Sequence, residues 1–210
     1  MNRKIEVLNR TRTHDGHFKI DLFEIVQEAD GRKFRMFREN FERGNAAAVL
    51  LYDPGMDAVL TVEEFRIGYL AAGYPPEACF NMGPIAGVVE PGATAEATVI
   101  REAMEEAGVV IDEADLMPGF TILPSPGGTS EQVTMFVACA DLSGVEPGQQ
   151  FGVDVEAEQT WRHVLPREEA LRLVMETACS GHLTALMMRL EILRLNGLFN
   201  EPVPESGLGR

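Results

Sequence analysis

The sequence predicts an α+β fold in which a mixed sheet lies between helices and a β-rich extension precedes it. Three observations support this fold class. Apolar and polar residues alternate through residues 1–43, short apolar runs follow, and helical patterns begin only at residue 94. Because strand patterns and helix patterns occur in the same chain, neither an all-α nor an all-β fold is expected.

The N-terminal extension, residues 1–43, is expected to form three antiparallel strands joined by tight turns. Asp15-Gly16 and Asp30-Gly31 are sequence signals for type I′ turns. The apolar residues of these strands are Phe18, Ile20, Leu22, Phe34, Met36 and Phe41. A three-stranded sheet with one apolar face is only marginally stable alone. The extension must therefore pack on the rest of its own subunit or on another subunit.

The rest of the chain carries a second domain, residues 44–197, and a loose tail at residues 198–210. Short apolar runs predict core strands at 45–52, 58–65, 120–123, 133–138 and 162–165. Helices are predicted at 94–107, from Pro166 as the first helical residue, and at 183–196. The stretch from Tyr69 to Gly83 is loop-like because it contains adjacent prolines and two glycines.

The chain is acidic, and its charge limits its partners. Its 210 residues carry a formal net charge of −15, and the sequence pI is near 4.6. Such a charge argues against a nucleic-acid backbone or an anionic membrane surface as the partner. No apolar run is long enough to span a bilayer and the N-terminus has no apolar signal region, so a cytoplasmic protein is expected.

One helix is the first candidate for a functional site. Thr94 is its expected N-cap and Gly108 the residue after its last turn. Glu102, Glu105 and Glu106 then share one face, where like charges cost roughly 0.2–0.5 kcal/mol per pair. A hard divalent cation would relieve this repulsion, and Mg²⁺ suits oxygen ligands best, with Mn²⁺ as an alternative. An acidic, solvated helix face is the competing interpretation.

The segment from Gly87 to Val109 resembles the Nudix box, G-x5-E-x7-R-E-U-x-E-E-x-G-U, where U is a bulky apolar residue. Ala93 departs from this pattern because the family has its first glutamate there, and the small Ala103 stands where a larger apolar residue is usual. The resemblance implies an α/β/α sandwich with a mixed sheet and a Mg²⁺-dependent hydrolase. It gives metal ligation to the carbonyl of Ala86 and to Glu102, Glu105 and Glu106, and catalytic or orienting roles to Glu105 and Arg101.

The loop from Ser125 to Glu131 (SPGGTSE) is the second candidate. Adjacent glycines after a proline form a tight turn that a ligand can approach closely, and Glu131 and the hydroxyls can hydrogen-bond a sugar. An ordinary surface turn is the competing interpretation. Together with upstream segments at 18–22, 38–44 and 66–67, this loop resembles the ADP-ribose pyrophosphatase subgroup of the Nudix family. The resemblance covers roughly residues 16–197.

The subgroup resemblance implies a set of substrate-binding residues and a mode of assembly. The residues are His17, Arg38, Arg66, Gly127, Gly128 and Glu131. His17 takes the place of an aromatic residue that stacks on adenine, and Gly83 stands where the family usually has a glutamate. The resemblance also implies a homodimer in which the N-terminal strands complete the substrate site of the partner subunit.

The general base of the subgroup comes from an acidic loop, which here is Gly152 to Glu158. Alignment on His163 places the base at Glu156 and a neighbouring metal-side acid at Glu158, although a shift of one or two residues exchanges them. A solvated acidic loop is the competing interpretation.

These observations together predict hydrolysis of the pyrophosphate bond of ADP-ribose, or of a related nucleoside diphosphate sugar, to AMP and a sugar phosphate. Two alternatives stay open. One is a Nudix hydrolase that acts on another nucleotide sugar or on a dinucleotide. The other is a non-catalytic Nudix-fold ligand sensor, which the departures at Ala93 and Gly83 make conceivable. A sensor, however, would have no need to retain the metal glutamates and the loop acids.

Overall fold

A three-stranded antiparallel sheet dominates the first of two compact units, which comprises Met1–Asn45 and Ile122–Val133. The computed structural model describes residues 3–153 and 159–199. The strands of the sheet are β1 (Arg3–Asp15), β2 (Lys19–Ala29) and β3 (Arg32–Glu42), with β2 in the centre. The predicted three-stranded extension is therefore confirmed.

The two turns of this sheet differ from each other. At the second turn, Asp30 and Gly31 both have positive φ, 49° and 76°, as a type I′ turn requires. The first connection takes three residues, 16–18, and Gly16 does not have positive φ. The type I′ prediction is thus wrong for Asp15-Gly16, because a three-residue connection does not need that geometry.

The second unit, Ala46–Thr121 with Thr134–Arg210, contains most of an eight-stranded sheet and all of the helices. The strands of this sheet are β4 (Ala46–Asp53), β5 (Ala58–Phe65), β6 (Phe80–Gly83), β7 (Ile85–Val88), β8 (Phe120–Ile122), β9 (Val133–Cys139), β10 (Gln150–Phe151) and β11 (Thr160–Pro166). The α-helices are α1 (Ile67–Ala71), α2 (Ala95–Ala107), α3 (Arg167–Glu176) and α4 (Gly181–Leu195), and 3-10 turns lie at Pro76–Cys79 and Glu113–Asp115.

The large sheet is mixed. Its strand order is β10-β11-β5-β4-β9-β8, with β6 paired to β5 and β7 paired to β4. β4 is antiparallel to β5 and β7. The Ala140 amide, just after β9, donates to the carbonyl of Tyr52 at the end of β4 (3.1 Å), so the C-terminal ends of these two strands meet and the strands run parallel.

Helices cover both faces of this sheet, so the α/β/α sandwich is confirmed. On one face, Val99, Ala103 and Ala107 of α2 are buried in a cluster with residues of β4 and β5. On the other face, α4 contacts β4 and β6, and α3 contacts β5 and β11. α4 buries Leu183, Leu186, Met187, Leu190 and Leu193. Burial of these apolar side chains is the main stabilising contribution on each face.

Two sequence predictions need correction in this unit. The segment from Tyr69 to Gly83, expected as a loop, contains the end of α1, a 3-10 turn and β6. Elements of four or five residues are too short to show a hydrophobic period. Pro166, expected as the first helical residue, is the N-cap of α3, and the helix begins at Arg167. Within the described residues, no helix is long and apolar enough to cross a membrane.

Candidate active site

Helix α2 begins and ends where local chemistry predicts. The Thr94 hydroxyl accepts a hydrogen bond from the amide of Ala97 (3.1 Å), which caps the first turn. Gly108 ends the helix with φ 64°, a left-handed conformation that glycine adopts without steric cost. A Cβ at Gly108 would also lie 2.5 Å from the ring of Phe151. The end of α2 is therefore fixed by both backbone geometry and packing.

The carboxylates of α2 are not a solvated face. Glu106 is 1% exposed and Glu102 is 7% exposed, while the Glu105 side chain keeps 34% of its surface. Burial of a carboxylate is costly unless polar groups or cations compensate its charge. The interpretation of α2 as an acidic, solvated face is therefore wrong for Glu102 and Glu106.

The two buried carboxylates both lie against the backbone of β7. A Cβ on Gly87 would lie 1.7 Å from Oε1 of Glu102, so any larger residue here would displace this buried carboxylate. The amide of Ala86 donates a hydrogen bond to Oε2 of Glu106 (3.1 Å). Residues 86 and 87 belong to β7, which pairs with β4 in the centre of the sheet. The end of β7 and one face of α2 thus form a compact, oxygen-rich site.

Arg101 supplies a positive charge in this site. Its guanidinium donates to Oε1 of Glu102 (2.5 Å) and also pairs with Glu105. Burial lowers the pKa of Arg101, but the charges of Glu102 and Glu105 outweigh this effect, and the pKa is raised above its usual range. Within the part of the chain that the structure describes, no three acidic, histidine or cysteine side chains are grouped closely enough to hold a metal ion. Instead, the guanidinium of Arg101 lies beside the carboxylates of Glu102 and Glu105.

Three of the predicted substrate residues line one cavity in the first unit. The cavity measures about 460 Å³, and Arg38, Gly127 and Gly128 contribute to its wall. A Cβ added to either glycine would meet no atom within 4 Å. Neither glycine has a positive φ. Neither packing nor backbone conformation therefore requires glycine here, and both residues leave the cavity open.

The loop that carries these glycines is bound to the end of β3. The amide of Phe41 donates to the carbonyl of Gly128 (2.8 Å), and the Thr129 hydroxyl donates to the carbonyl of Phe41 (2.9 Å). Ser130 accepts from the Asn40 side chain (3.0 Å) and donates to Glu42 (2.8 Å). The loop from Ser125 to Glu131 is thus not an ordinary surface turn. It is a fixed wall of the cavity.

His17 and Glu131 lie at the edges of one aromatic and ionic cluster in the same unit. The ring of His17 meets that of Phe18 edge-on, with centroids 4.5 Å apart. The guanidinium of Arg43 lies over Phe18, 5.4 Å from the ring centroid, and pairs with Glu131 (3.3 Å). Glu131 is 5% exposed. The structure therefore links these two predicted residues through Phe18 and Arg43, neither of which the sequence analysis singled out as a site residue.

Arg66, in the second unit, is held by a neighbouring carboxylate. Its guanidinium pairs with Glu64, two residues earlier at the end of β5. A Cβ on Gly83 would lie 3.1 Å from Nη2 of Arg66. The absence of a side chain at position 83 therefore leaves room for the Arg66 guanidinium.

The predicted catalytic acids Glu156 and Glu158 lie outside the described residues. The chain on either side of them is anchored to α2. The amide of Gly152 donates to the carbonyl of Glu105 (3.2 Å), and the Arg162 guanidinium donates to the carbonyl of Ala107 (2.7 Å).

Arg10 and Phe23 line the cavity but lie outside the segments identified from the sequence. Asn40, Glu42 and Ser130 also line it and lie within those segments. No sequence signal identifies Arg10 or Phe23, because the pairing beside the first turn, continued along the hairpin, would place Arg12 opposite Leu22. A bulge between Arg12 and His14 shifts the register, so that Arg12 lies opposite Asp21 and Arg10 lies opposite Phe23.

The chain is similar to known proteins over most of its length. It matches the NUDIX domain model over residues 42–185. It is 32% identical over 202 residues to the ADP-ribose pyrophosphatase of Escherichia coli (strain K12), covering 94% of this chain and 92% of that protein. The ADP-ribose pyrophosphatase of Haemophilus influenzae is 32% identical over 202 residues, 91% of this chain and 87% of that protein. The GDP-mannose pyrophosphatase of Cronobacter sakazakii is 31% identical over 205 residues, 95% of this chain and 100% of that protein.

Proposed function

The chain belongs to the Nudix family, and from that membership we propose that it hydrolyses the pyrophosphate bond of nucleoside diphosphate sugars. ADP-ribose is the substrate that we assign first, with AMP and a sugar phosphate as products. Relatives that are 32% identical over most of the chain and carry the name ADP-ribose pyrophosphatase support this assignment.

The observation that carries the proposal is the fit of Glu102 against Gly87. The carboxylate oxygen occupies the space of a missing Cβ, and Glu106 is buried beside it with a hydrogen bond from the Ala86 amide. A stable fold gains nothing from two buried carboxylates on one helix face unless a cation offsets their charge. Such an arrangement is expected of a site for a cation and an anionic substrate.

We assign the binding of a divalent cation, Mg²⁺ before Mn²⁺, to Glu102, Glu105 and Glu106 with the carbonyl of Ala86. The donors are all hard oxygens, which these cations prefer. A bound cation would neutralise the charge of the diphosphate and polarise the attacking water. The carboxylates, which are not grouped closely enough in the structure to hold a metal ion, would have to turn towards the cation, and Arg101 would orient Glu102 and Glu105.

The chain's own residues perform the remaining steps of the proposed reaction. We assign the general base that takes the proton of the attacking water to Glu156, and the role of the metal-side acid to Glu158. The hydrogen bond from Gly152 to the carbonyl of Glu105 supports this assignment, because it attaches the start of the acidic loop to α2. Substrate binding is assigned to His17, Arg38, Arg66, Gly127, Gly128 and Glu131.

GDP-mannose is a second candidate substrate. A relative named GDP-mannose pyrophosphatase is 31% identical and matches over its whole length. The imidazole of His17 offers less stacking area than a phenyl ring, so selectivity for adenine is reduced. Retention of Glu102, Glu105 and Glu106 argues against the non-catalytic sensor, because a protein that only binds its ligand has no need for a cation site.

The decisive experiment measures release of the nucleoside monophosphate from ADP-ribose and, in parallel, from GDP-mannose, other nucleoside diphosphate sugars and dinucleotides, at roughly millimolar Mg²⁺ and in EDTA. We expect Mg²⁺-dependent turnover with ADP-ribose or GDP-mannose preferred. Glu106→Gln should lower kcat at least about a hundredfold, since it removes a cation ligand. Glu113→Gln, an acid outside α2, is the matched control. Full turnover in EDTA, or a Glu106→Gln variant as active as the wild type, would refute the proposed function.

The homodimer and the cytoplasmic location expected from the sequence stay predictions.

A further inference from the structure

Arg10 is the most firmly held cation in the wall of the first-unit cavity. Its Nη2 donates to Oδ2 of Asp21 at 2.6 Å. Asp21 is 1% exposed and also accepts two hydrogen bonds from Arg12 (3.0 and 3.1 Å). The guanidinium of Arg10 lies over the ring of Phe23, 5.1 Å from its centroid. An arginine fixed by a buried acid and by an aromatic face is preorganised to bind a ligand.

Arg12 also pairs with Asp21, but it does not line the cavity. It lies two residues further along β1 and pairs with Asp21 and Asp15. Arg10, together with Phe23, lines the cavity, whereas Arg12 is not part of its wall. Neutralisation of Asp21 therefore explains the contact that Arg12 makes. It does not explain why the Arg10 side chain lies in the cavity wall.

The charges around the cavity balance each other. Arg10 and Arg38 are the basic side chains of its wall, and Glu39 and Glu42 are the acidic ones. Glu42 accepts hydrogen bonds from Ser130 (2.8 Å) and from the amide of Gly44 (3.1 Å), which keeps it ionised. A phosphate group would meet repulsion from these carboxylates as well as attraction to the arginines. A hydroxyl can accept from a guanidinium and donate to a carboxylate, so vicinal hydroxyls suit this wall better.

We propose that Arg10, positioned by Asp21, binds the hydroxyls of a ribosyl unit of the substrate and that it is a specificity-determining residue. This inference rests on the proposed function and adds a residue to it. The ribosyl unit comes either from the nucleoside or from the terminal sugar of ADP-ribose. The chemistry is the same for both sources, and experiment distinguishes them.

The test compares Arg10→Gln with Arg12→Gln in the full-length protein. Each variant removes one arginine from Asp21, but only the first alters the cavity. The dissociation constants of ADP-ribose, AMP, ribose 5-phosphate and pyrophosphate are measured by calorimetry in EDTA, so that turnover does not interfere. Melting temperatures report folding, and Arg10→Lys, which keeps the charge but loses the fork of donors, replaces Arg10→Gln if that variant does not fold.

Arg10→Gln should weaken ADP-ribose binding on the order of tenfold, whereas Arg12→Gln should change it less than about twofold. A matching loss for AMP assigns the nucleoside ribose, and one for ribose 5-phosphate assigns the terminal sugar. Equal losses in both variants, no loss in Arg10→Gln, or a loss confined to pyrophosphate would overturn the inference. A wild-type protein that neither binds nor hydrolyses any nucleoside diphosphate sugar would instead refute the proposed function.

Discussion

At the scale of single residues, Arg101 shows how the charge of the buried carboxylates of α2 is compensated. It neutralises Glu102 and Glu105 on one side, while the Ala86 amide stabilises Glu106 on the other. A divalent cation at the proposed site would compete with Arg101 for part of the same carboxylate charge. This competition can be measured without any substrate.

We predict that Arg101→Gln lowers the stability of the cation-free protein by about 1 kcal/mol, because Glu102 loses this ion pair while Arg101 itself is half exposed. Millimolar Mg²⁺ should then raise the melting temperature more in Arg101→Gln than in the wild type, since the cation replaces the missing charge. Arg172→Gln, at an exposed position of α3, is the control. A smaller Mg²⁺ effect in Arg101→Gln than in the wild type would contradict the prediction.

A second residue-scale prediction concerns the position of Arg66. Glu64 holds its guanidinium in the space that Gly83 leaves open. Glu64→Gln removes the ion pair, so we expect KM for ADP-ribose to rise about three- to tenfold with kcat nearly unchanged. Glu63→Gln is the matched control, because Glu63 is adjacent in β5 and faces His163 instead (3.4 Å). If both variants raise KM equally, Arg66 is not positioned by Glu64.

At the scale of secondary-structure elements, the β1–β2 hairpin contains an acid-sensitive pairing. Hydrogen bonds from Arg12 and then Arg10 lower the pKa of Asp21 to about 2, although burial opposes them. The unfolded value is near 3.9, so the folded state binds fewer protons in this range. The stability that Asp21 contributes is therefore complete above about pH 4 and is lost as the pH falls towards 2.

We expect the difference in melting temperature between the wild type and Asp21→Asn to be largest above pH 4. It should shrink as the pH falls towards 2, because Asp21 of the folded wild type begins to take up a proton there and loses its ion pairs. Thermal unfolding between pH 2 and 6 provides the measurement. Asp30→Asn, at the exposed β2–β3 turn, controls for general charge effects. A difference that does not depend on pH would show that the ion pairs do not stabilise the hairpin.

An element could be predicted from the sequence when the residues that determine it are neighbours in the chain. Helix α2, its cap at Thr94 and its end at Gly108 follow from neighbouring residues, and the structure confirms them. The end of α1 and β6 could not be predicted, because four or five residues carry no period. Arg38, Gly127 and Gly128 of the cavity wall were predicted, but Arg10 was not. Arg10 reaches the wall only through the register of β1 on β2 and the packing of the loop from Ser125 to Glu131.

At the scale of the whole molecule, the exposed apolar surface of the first unit points to assembly. All of β1 is exposed, including Ile5 at 61% and Val7 at 56%, and β3 exposes Phe34 at 51% and Phe37 at 55%. Full burial of such side chains contributes roughly 1.5–3 kcal/mol each. In a monomer these side chains would stay in water, and burial would not contribute to stability.

We therefore predict a homodimer in which the N-terminal sheet is buried and Arg38 or His17 contributes to the site of the partner subunit. Light scattering at micromolar concentration should give twice the chain mass of 23.1 kDa. Ile5→Gln combined with Val7→Gln should shift the protein towards monomer and lower activity, while Glu6→Gln, at the intervening position of β1, should do neither. Deletion of residues 1–43 should abolish activity although every residue of α2 remains. A fully active, monodisperse full-length monomer would show that the exposed strands serve their own subunit alone.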